Sequence, residues 1–355
     1  MIEKLRRELP PEQAGAALEM ARLRRQAAAK FGAAASRLWF TRAALEQASD
    51  PLARQYRASF AAGRSVVDAG CGIGTDTLAF AGVGAAALGL DIDPVRVALA
   101  RLNAAALGLD ARFEVGDVRE GLPPADFVFF DPGRRDAQGR RLRQVEAYQP
   151  PLSVVRSWRH ACIAAKLSPG VAVEQVAGYG GGLEFISVHG DLKEAVLWLG
   201  VGFTGRRATL LTAGGAHHWE PVGPEPALSL AAPRAWLIEP DPSLLRAGLV
   251  RWAAAACGGA QLDADIAYFT TDVRPVSPWL RVWPVLDWMP YQLKRLRAYL
   301  RERRVGRVTV KKRGSPITPE TLVAGLKLQG DEARTLVLTR CQGRPIVIIC
   351  ADGPV

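Results

Sequence analysis

The sequence predicts an α/β fold organised around a doubly wound, mainly parallel sheet. Three observations carry this. From residue 64 onward, short runs of β-branched and aromatic residues alternate with Ala- and Leu-rich helical stretches, the pattern of successive βαβ units. The first run, Val66-Val67-Asp68, enters a glycine-dense turn, Gly70-Cys71-Gly72-Ile73-Gly74, and then the helical Thr75–Ala81. Four acids, Asp68, Asp91, Asp117 and Asp131, each stand at or just past the end of a predicted strand, on the edge where ligands gather in such sheets.

Residues 1–62 read as a helical region. Pro11–Lys30 and Ser36–Ala62 are rich in Ala, Leu, Arg and Gln, broken at Gly32 and at Asp50-Pro51. Asp50 ahead of Pro51 suits an N-cap with proline at the first helical position. Arginines 22, 24, 25, 37, 42, 54, 57 and 64 make this piece basic, either as a solvated helix face or as a binding surface.

A sheet domain follows over residues 63–220. Val66–Asp68, Ala85–Asp91, Ala111–Val115 and Asp126–Phe130 are strands, and Thr75–Ala81 and Pro94–Leu107 are helices. After Phe130 come Asp131-Pro132-Gly133-Arg134-Arg135 and the polar Asp136–Arg143, suited to a mobile lid. Tyr148–Leu152 leads into a helix to about Lys166; Val171–Val176 is a fifth strand, and Tyr179-Gly180-Gly181-Gly182 a flexible turn at its carboxyl end. Glu184–Val188, a helix near Leu192–Leu199 and Arg206–Leu211 finish the sheet. No helix is found between strands five and six, so the order of the last strands stays open.

Pro221–Pro233 reads as a linker. Residues 234–355 form a basic α+β domain, with short strands Trp236–Asp241 and Ala267–Thr270 around a helix at Ser243–Ala256. Between 294 and 313 stand Lys294, Arg295, Arg297, Arg301, Arg303, Arg304, Arg307, Lys311, Lys312 and Arg313, with Glu302 the only acid. A single-sign face of this length favours polyanion binding over a solvated surface, where the signs usually mix. A strand at 308–314, a helix over Glu320–Leu328 and strands Thr335–Arg340 and Ile346–Cys350 close the chain.

At 355 residues the chain is long enough for two or three domains. The net charge of +11 points to polyanions such as nucleic acid, although a coding bias toward arginine would also produce it. Five scattered cysteines without a CxxC pair lack metal-ligand spacing, and their odd number disfavours a disulfide framework. No signal core and no run of about 18 apolar residues is visible. A reducing, cytoplasmic location and no resident metal are therefore expected.

The ligand of the glycine turn is narrowed by what surrounds it. A dinucleotide fingerprint wants G-x-G-x-x-G, whereas Gly70, Gly72 and Gly74 form G-x-G-x-G, with Asp68 two residues ahead. A carboxylate there repels a pyrophosphate and attracts a cation. S-adenosylmethionine, with a sulfonium, an ammonium and no phosphate, is such a ligand. Asp91 is spaced to hold a ribose diol and Asp117 to accept from an adenine amino group; each acid can equally cap the helix or turn that follows it.

The runs VVDAGCGIGTD, GLDIDP, EVGDV and FVFFDPGRR resemble the class I S-adenosylmethionine-dependent methyltransferases over about residues 64–215. The resemblance implies a Rossmann-like sheet in which Asp68, Gly70, Gly72 and Gly74 cradle the methionine end of the cofactor, Asp91 the ribose and Asp117 the adenine. Cys71, Asp76, Ile92 and Val118 complete that expected site, to which Asp131 also belongs. Asp131, with Pro132 and Arg134, would open the catalytic motif, Asp131 orienting or deprotonating the target atom. The motif lacks the aromatic of the D/N/S-P-P-Y/F/W type that methylates amino groups in nucleic acids, and is similar to the D-P-x-R variants of some tRNA and rRNA methyltransferases. No cysteine lies near it for cytosine-C5 chemistry. Arg134 and Arg135 would hold a phosphate or base edge, or pair with acids such as Asp136.

Residues 280–353 resemble the THUMP-like domain that ends a family of uncharacterised bacterial methyltransferases, which implies RNA as partner, with Arg303, Arg304, Lys311, Lys312 and Arg313 as contacts. The expectation is a cytoplasmic methyltransferase that modifies a nucleobase in structured RNA, tRNA or rRNA. Two alternatives stand beside it: a protein or small-molecule acceptor, and a non-catalytic RNA-binding protein that retains the cofactor pocket.

Overall fold

The computed structural model describes residues 9–136 and 138–355; residues 1–8 of the predicted helical region and Ala137 of the predicted lid lie outside the described residues. The chain divides into two compact units, one ending at His217 and the other beginning at His218.

The first unit opens with helices α1 (Pro11–Phe31), α2 (Arg42–Gln47) and α3 (Pro51–Ser59). The stretch Ser36–Ala62, expected to break at Asp50-Pro51, holds two helices that part there. Thr41 caps α2 by accepting from Ala44 N at 3.2 Å, and Asp50 caps α3 by accepting from Leu52 N at 3.0 Å, with Pro51 in the first turn as predicted. Strand β1 (Ser65–Ala69), helix α4 (Thr75–Gly82), β2 (Ala86–Asp91), helix α5 (Pro94–Leu107), β3 (Ala111–Val115) and β4 (Phe127–Phe130) follow the predicted alternation.

Past β4 the prediction is corrected. The stretch expected to run as a helix to Lys166 holds a 3-10 turn at Leu152–Ser157 and then β5 (Ile163–Leu167), parallel to β4. Its five residues are all buried, and burial in the sheet centre outweighs the helix preference of Ala164 and Ala165. Val171–Val176, expected as the fifth strand, is a loop with a 3-10 turn at Val173–Gln175. The helix expected near Leu192–Leu199 is strand β7 (Asp191–Leu199), joined to β6 (Gly182–Val188) by a two-residue turn. His189 and Gly190 both have positive φ, 50° and 84°, which matches the right-handed twist of the hairpin. Strands β8 (Gly205–Thr212) and β9 (Gly215–Trp219) complete a nine-stranded sheet in the order β3-β2-β1-β4-β5-β7-β6-β8-β9. β1 to β5 are parallel neighbours; β7 is antiparallel to both β5 and β6, and β8 is parallel to β6.

The expected lid is a short hairpin. Gly133 and Gln149 exchange both backbone hydrogen bonds, at 2.8 and 2.9 Å, and Arg135 bridges Arg141. The glycine turn before β6 is tied down: the Tyr179 hydroxyl meets Glu146, and Arg156 stacks on the Tyr179 ring at 4.4 Å. One core packs α3 and Phe80 against Phe127, Phe129 and Trp198. A second buries Ile73 of the glycine turn among Leu23, Leu38, Phe40 and Leu45 of the helical region. Removing such side chains from water contributes roughly 1.5–3 kcal/mol each, so the helical region is fastened to the turn it covers.

The second unit is α+β. Strand β10 (Trp236–Pro240), helices α6 (Pro242–Ala247) and α7 (Val250–Ala256), and strands β11 (Ala260–Gln261), β12 (Phe269–Thr271) and β13 (Leu280–Pro290) precede helix α8 (Leu293–Glu302). Then come β14 (Val305–Lys312), helix α9 (Pro319–Leu326), β15 (Glu332–Cys341) and β16 (Arg344–Cys350). The helix expected over Ser243–Ala256 is broken at Gly248, whose φ of 70° ends α6 in the left-handed region. The sheet runs β11-β12-β10-β13-β16-β15-β14, with β14 a parallel edge strand. Helices α8 and α9 cover one face through Leu296, Leu300, Leu322 and Leu326.

Candidate active site

Strand order reverses between β1 and β4, which are neighbours although far apart in sequence. Their carboxyl ends part into the glycine turn on one side and Asp131 on the other. This is the crevice where a sheet of this kind binds ligands.

The glycine turn is shaped by close approaches. A β-carbon on Gly70 would stand 3.1 Å from the Asp131 backbone oxygen, and one on Gly74 would stand 2.9 Å from the Phe113 ring. Gly72 differs: nothing lies within 4 Å of where its β-carbon would be, at a φ of 56°. Its side-chain-free surface is open space, and its N–H donates to Asp91 Oδ2 at 2.8 Å.

The four predicted acids end up in four different states. Asp91 is buried at the end of β2, one oxygen taken by Gly72 and the other by Asp93 N at 3.0 Å. Asp68 is fully buried; Thr77 donates to its Oδ2 at 2.5 Å, while among the described residues Oδ1 has no hydrogen-bond partner. Burial, reinforced by the neighbouring charge of Asp76, pushes its carboxyl up to about 8. Asp117 caps the turn Val118–Glu120 and is gripped by Arg119 Nε at 2.9 Å, which holds it below the usual carboxylate range. Asp131 is 26% exposed, and Lys166 Nζ donates to its Oδ2 at 2.7 Å.

Lys166, a residue that sequence reasoning passed over, belongs to a buried polar chain. Its ammonium also donates to Ser49 Oγ at 2.8 Å. Ser49 in turn accepts from Arg57 Nη2 at 2.9 Å, and Arg57, with 0% of its side chain exposed, pairs with both Asp76 and Glu194. Burial works to raise the Asp76 carboxyl, but the Arg57 charge outweighs it and holds it low. Asp76, expected at the cofactor, is thus committed to this chain. The signal for it was weak: Lys166 sits in an Ala-rich run, and Arg57 looked like one of many helix-face arginines.

Around the crevice, Pro132 is buried and Arg134 Nη1 donates to the Leu167 carbonyl at 3.2 Å. Arg135 donates to the Gly139 carbonyl at 2.9 Å. The ion pair with Asp136 considered for these two arginines is made by Arg140 instead, at 2.7 Å. Cys71 is buried, and burial raises its thiol. Val118 is buried, its carbonyl accepting from Trp158 Nε1 at 3.1 Å, whereas Ile92 and Val115 stay 63% and 54% exposed. They follow Asp91 and precede Asp117 by one and two residues, leaving an apolar surface beside the two acids.

In the second unit, Lys294, Arg295, Arg301, Arg307 and Lys312 are exposed and form no ion pair among the described residues. Arg303 lies over Tyr299 at 3.8 Å and meets Glu302 at 3.0 Å; Arg304 meets Asp331 at 3.3 Å. Lys311 is committed inward, to Glu239 at 2.7 Å and over Trp283 at 4.5 Å. Arg313 is half-buried over Tyr268 at 5.3 Å. Among the described residues no group of His, Cys, Asp and Glu is arranged as metal ligands, and no helix is long and apolar enough to cross a membrane.

Comparison with known proteins identifies the family and the fold. A methyltransferase-domain family matches residues 66–131, and a THUMP domain-like family matches residues 280–352. The chain is 37% identical over 337 residues to an uncharacterised S-adenosylmethionine-dependent methyltransferase of Mycobacterium tuberculosis, covering 91% of this chain and 92% of that protein. It shares the fold of a crystal structure described as a methyltransferase from Porphyromonas gingivalis, with a TM-score of 0.80 at 21% identity over 97% of this chain and 91% of that one. It is also similar, 39% over 93 residues, to an uncharacterised RNA methyltransferase of Parasynechococcus marenigrum, a match covering 24% of this chain and 20% of that protein.

Proposed function

The chain belongs to the S-adenosylmethionine-dependent methyltransferases, and from that premise we propose that its acceptor is a nucleobase in structured RNA, a tRNA or an rRNA. The observation that carries the proposal is the basic face of the second unit. Arg301, Arg303, Arg304, Arg307 and Lys312 are exposed over the end of α8 and along the edge strand β14, inside the region similar to THUMP domain-like sequences. The partial likeness to a protein named as an RNA methyltransferase supports the same reading. The five cysteines are unpaired, which favours the reducing cytoplasm.

The residues at the crevice fit the cofactor. Gly72 leaves the main chain bare, so a ligand can lie against it. Among the described residues, Asp68 carries a buried oxygen without a hydrogen-bond partner, which a cationic group can satisfy. Asp91 is oriented by two backbone N–H groups before any ligand arrives, ready to accept from a diol. The exposed Ile92 and Val115 offer an apolar seat for a purine ring, with Asp117 and Val118 at its far side. When bound, S-adenosylmethionine supplies a methyl group already activated by its sulfonium. What remains for the protein is alignment of the acceptor and control of its proton.

Asp131 takes that part. One carboxylate oxygen is held by Lys166, and the other makes no hydrogen bond among the described residues. The free oxygen can accept a hydrogen bond from the target group and orient it, or take its proton as the methyl arrives. Arg134, anchored on the Leu167 carbonyl, borders the same edge.

The test is tritium transfer from labelled cofactor into an extract of cells lacking the gene, followed by fractionation. Label in tRNA or rRNA, mapped to a base, supports the proposal. Label confined to protein or small molecules overturns the RNA acceptor while leaving the methyltransferase intact. Binding of cofactor without any transfer would favour a non-catalytic RNA-binding role.

A further inference from the structure

We infer that Lys166 is the positioning residue of the methyl-transfer step, fixing the Asp131 carboxylate, and that Ser49 of the helical region holds Lys166 in place. This rests on reading Asp131 as the group that orients the acceptor. Lys166 Nζ reaches Asp131 Oδ2 at 2.7 Å and Ser49 Oγ at 2.8 Å, from a side chain only 4% exposed. A lysine so placed has given up its hydration for two fixed partners. Its contacts leave Asp131 with one oxygen engaged and one free, a geometry that a carboxylate rotating at the mouth of a crevice would not keep.

The lysine comes from the middle of the site's own framework. It is the fourth residue of β5, whose backbone is held by β4 on one side and by β7 on the other. Ser49 is fixed as firmly, since it also meets Arg57, which Asp76 and Glu194 clamp from both sides. The line runs from Glu194 through Arg57 and Ser49 to Lys166 and Asp131, with Asp76 paired to Arg57 and further stabilised by the charge of Lys166. Asp131 is the terminal member nearest the crevice, and its second oxygen makes no hydrogen bond among the described residues. The line is built to present that oxygen at one place.

The experiment uses the full-length protein, tritiated S-adenosylmethionine and extract of cells lacking the gene as acceptor, with Asp131→Asn, Lys166→Met, Ser49→Ala and the double variant D131N/K166M. Lys166→Met is expected to lower the turnover rate about a hundred-fold, the order of loss that a misplaced reacting group produces. The half-saturating extract concentration and the calorimetric affinity for cofactor stay as in the wild type. The double variant is expected to be no slower than D131N alone, and Ser49→Ala to lower turnover several-fold in the same pattern. Unchanged turnover in K166M or S49A, or losses that follow cofactor affinity, would overturn the role of Lys166. If K166M does not fold, S49A decides by itself. Full turnover in D131N would instead remove the reading of Asp131 on which the inference stands, a separate result from an inactive D131N beside an unaffected K166M.

Discussion

Gly72 N–H lies 2.8 Å from Asp91 Oδ2, so the turn after β1 and the acid that ends β2 are one hydrogen-bonded piece. Neither can shift without the other. This sets the first prediction: Asp91→Ala should weaken S-adenosylmethionine binding by about a hundred-fold or more, because it removes a charged acceptor and frees the turn. Calorimetry checks it, and wild-type affinity in D91A would refute the pocket assignment.

Asp68 makes a prediction about pH. Its folded carboxyl is pushed up to about 8 from an ordinary 3.8. Between those values the native state keeps a proton that the unfolded chain releases, so stability falls as pH rises from about 4 to about 8. Asp68→Asn has no such proton to lose. Urea denaturation at pH 5, 7 and 8.5 should therefore show the wild type losing more stability with pH than D68N; parallel curves would contradict it.

The same carboxyl couples to the ligand. If a cationic part of the cofactor lies beside Asp68, binding must expel that proton. Affinity then rises with pH toward about 8, and the binding heat depends on the buffer's own protonation heat. Both effects should vanish in D68N. A pH-independent affinity in the wild type would place the cation elsewhere.

Arg57 is the keystone of the buried chain. Arg57→Met leaves Asp76 and Glu194 buried without their cation, a change that typically costs about 3–5 kcal/mol. Chemical denaturation should register that loss across the first unit. A variant as stable as the wild type would mean the two acids find other partners.

On the basic face the exposed cations separate from the committed ones. Neutralising Arg303, Arg304, Arg307 and Lys312 should reduce the log–log salt slope of RNA binding by about 0.9 per lost phosphate contact on duplex, less on single strands. Lys311→Ala should chiefly destabilise its unit, since its ammonium serves Glu239 and Trp283. An unaltered slope in the first set would leave that face merely solvated.

The βαβ half of the fold could be read from residues because its signals are local. Val66–Gly74, Asp93-Pro94 and the acids at strand ends each declare their own structure over a few positions. The misread stretch, from Tyr148 to Leu199, takes its structure from partners distant in sequence. Ala164 and Ala165 are strand residues only because β4 and β7 flank them, and His189-Gly190 is a hairpin turn that does not use the usual Asn-Gly pair. The site divides the same way. Asp91 and Asp131 stand out by position, whereas Lys166, Ser49 and Arg57 acquire meaning only when residues up to 137 positions apart, Arg57 and Glu194, come together. The pairing of Asp76 with Arg57 is hidden in the sequence for the same reason.

The placement of β7 between β5 and β6 has a consequence for synthesis. β6 leaves the ribosome before either of its sheet neighbours, β7 and β8, has been made. β5 meanwhile has β4 on one side and an open edge on the other, and open edges invite wrong pairings. The sheet cannot close strand by strand as it emerges. It waits for Leu199, and only then can the strand that carries Lys166 be sealed on both sides. A nascent chain stalled between Leu167 and Leu199 would hold the crevice residues already synthesised, with the carboxylate they are meant to steady still resting on an unfinished wall.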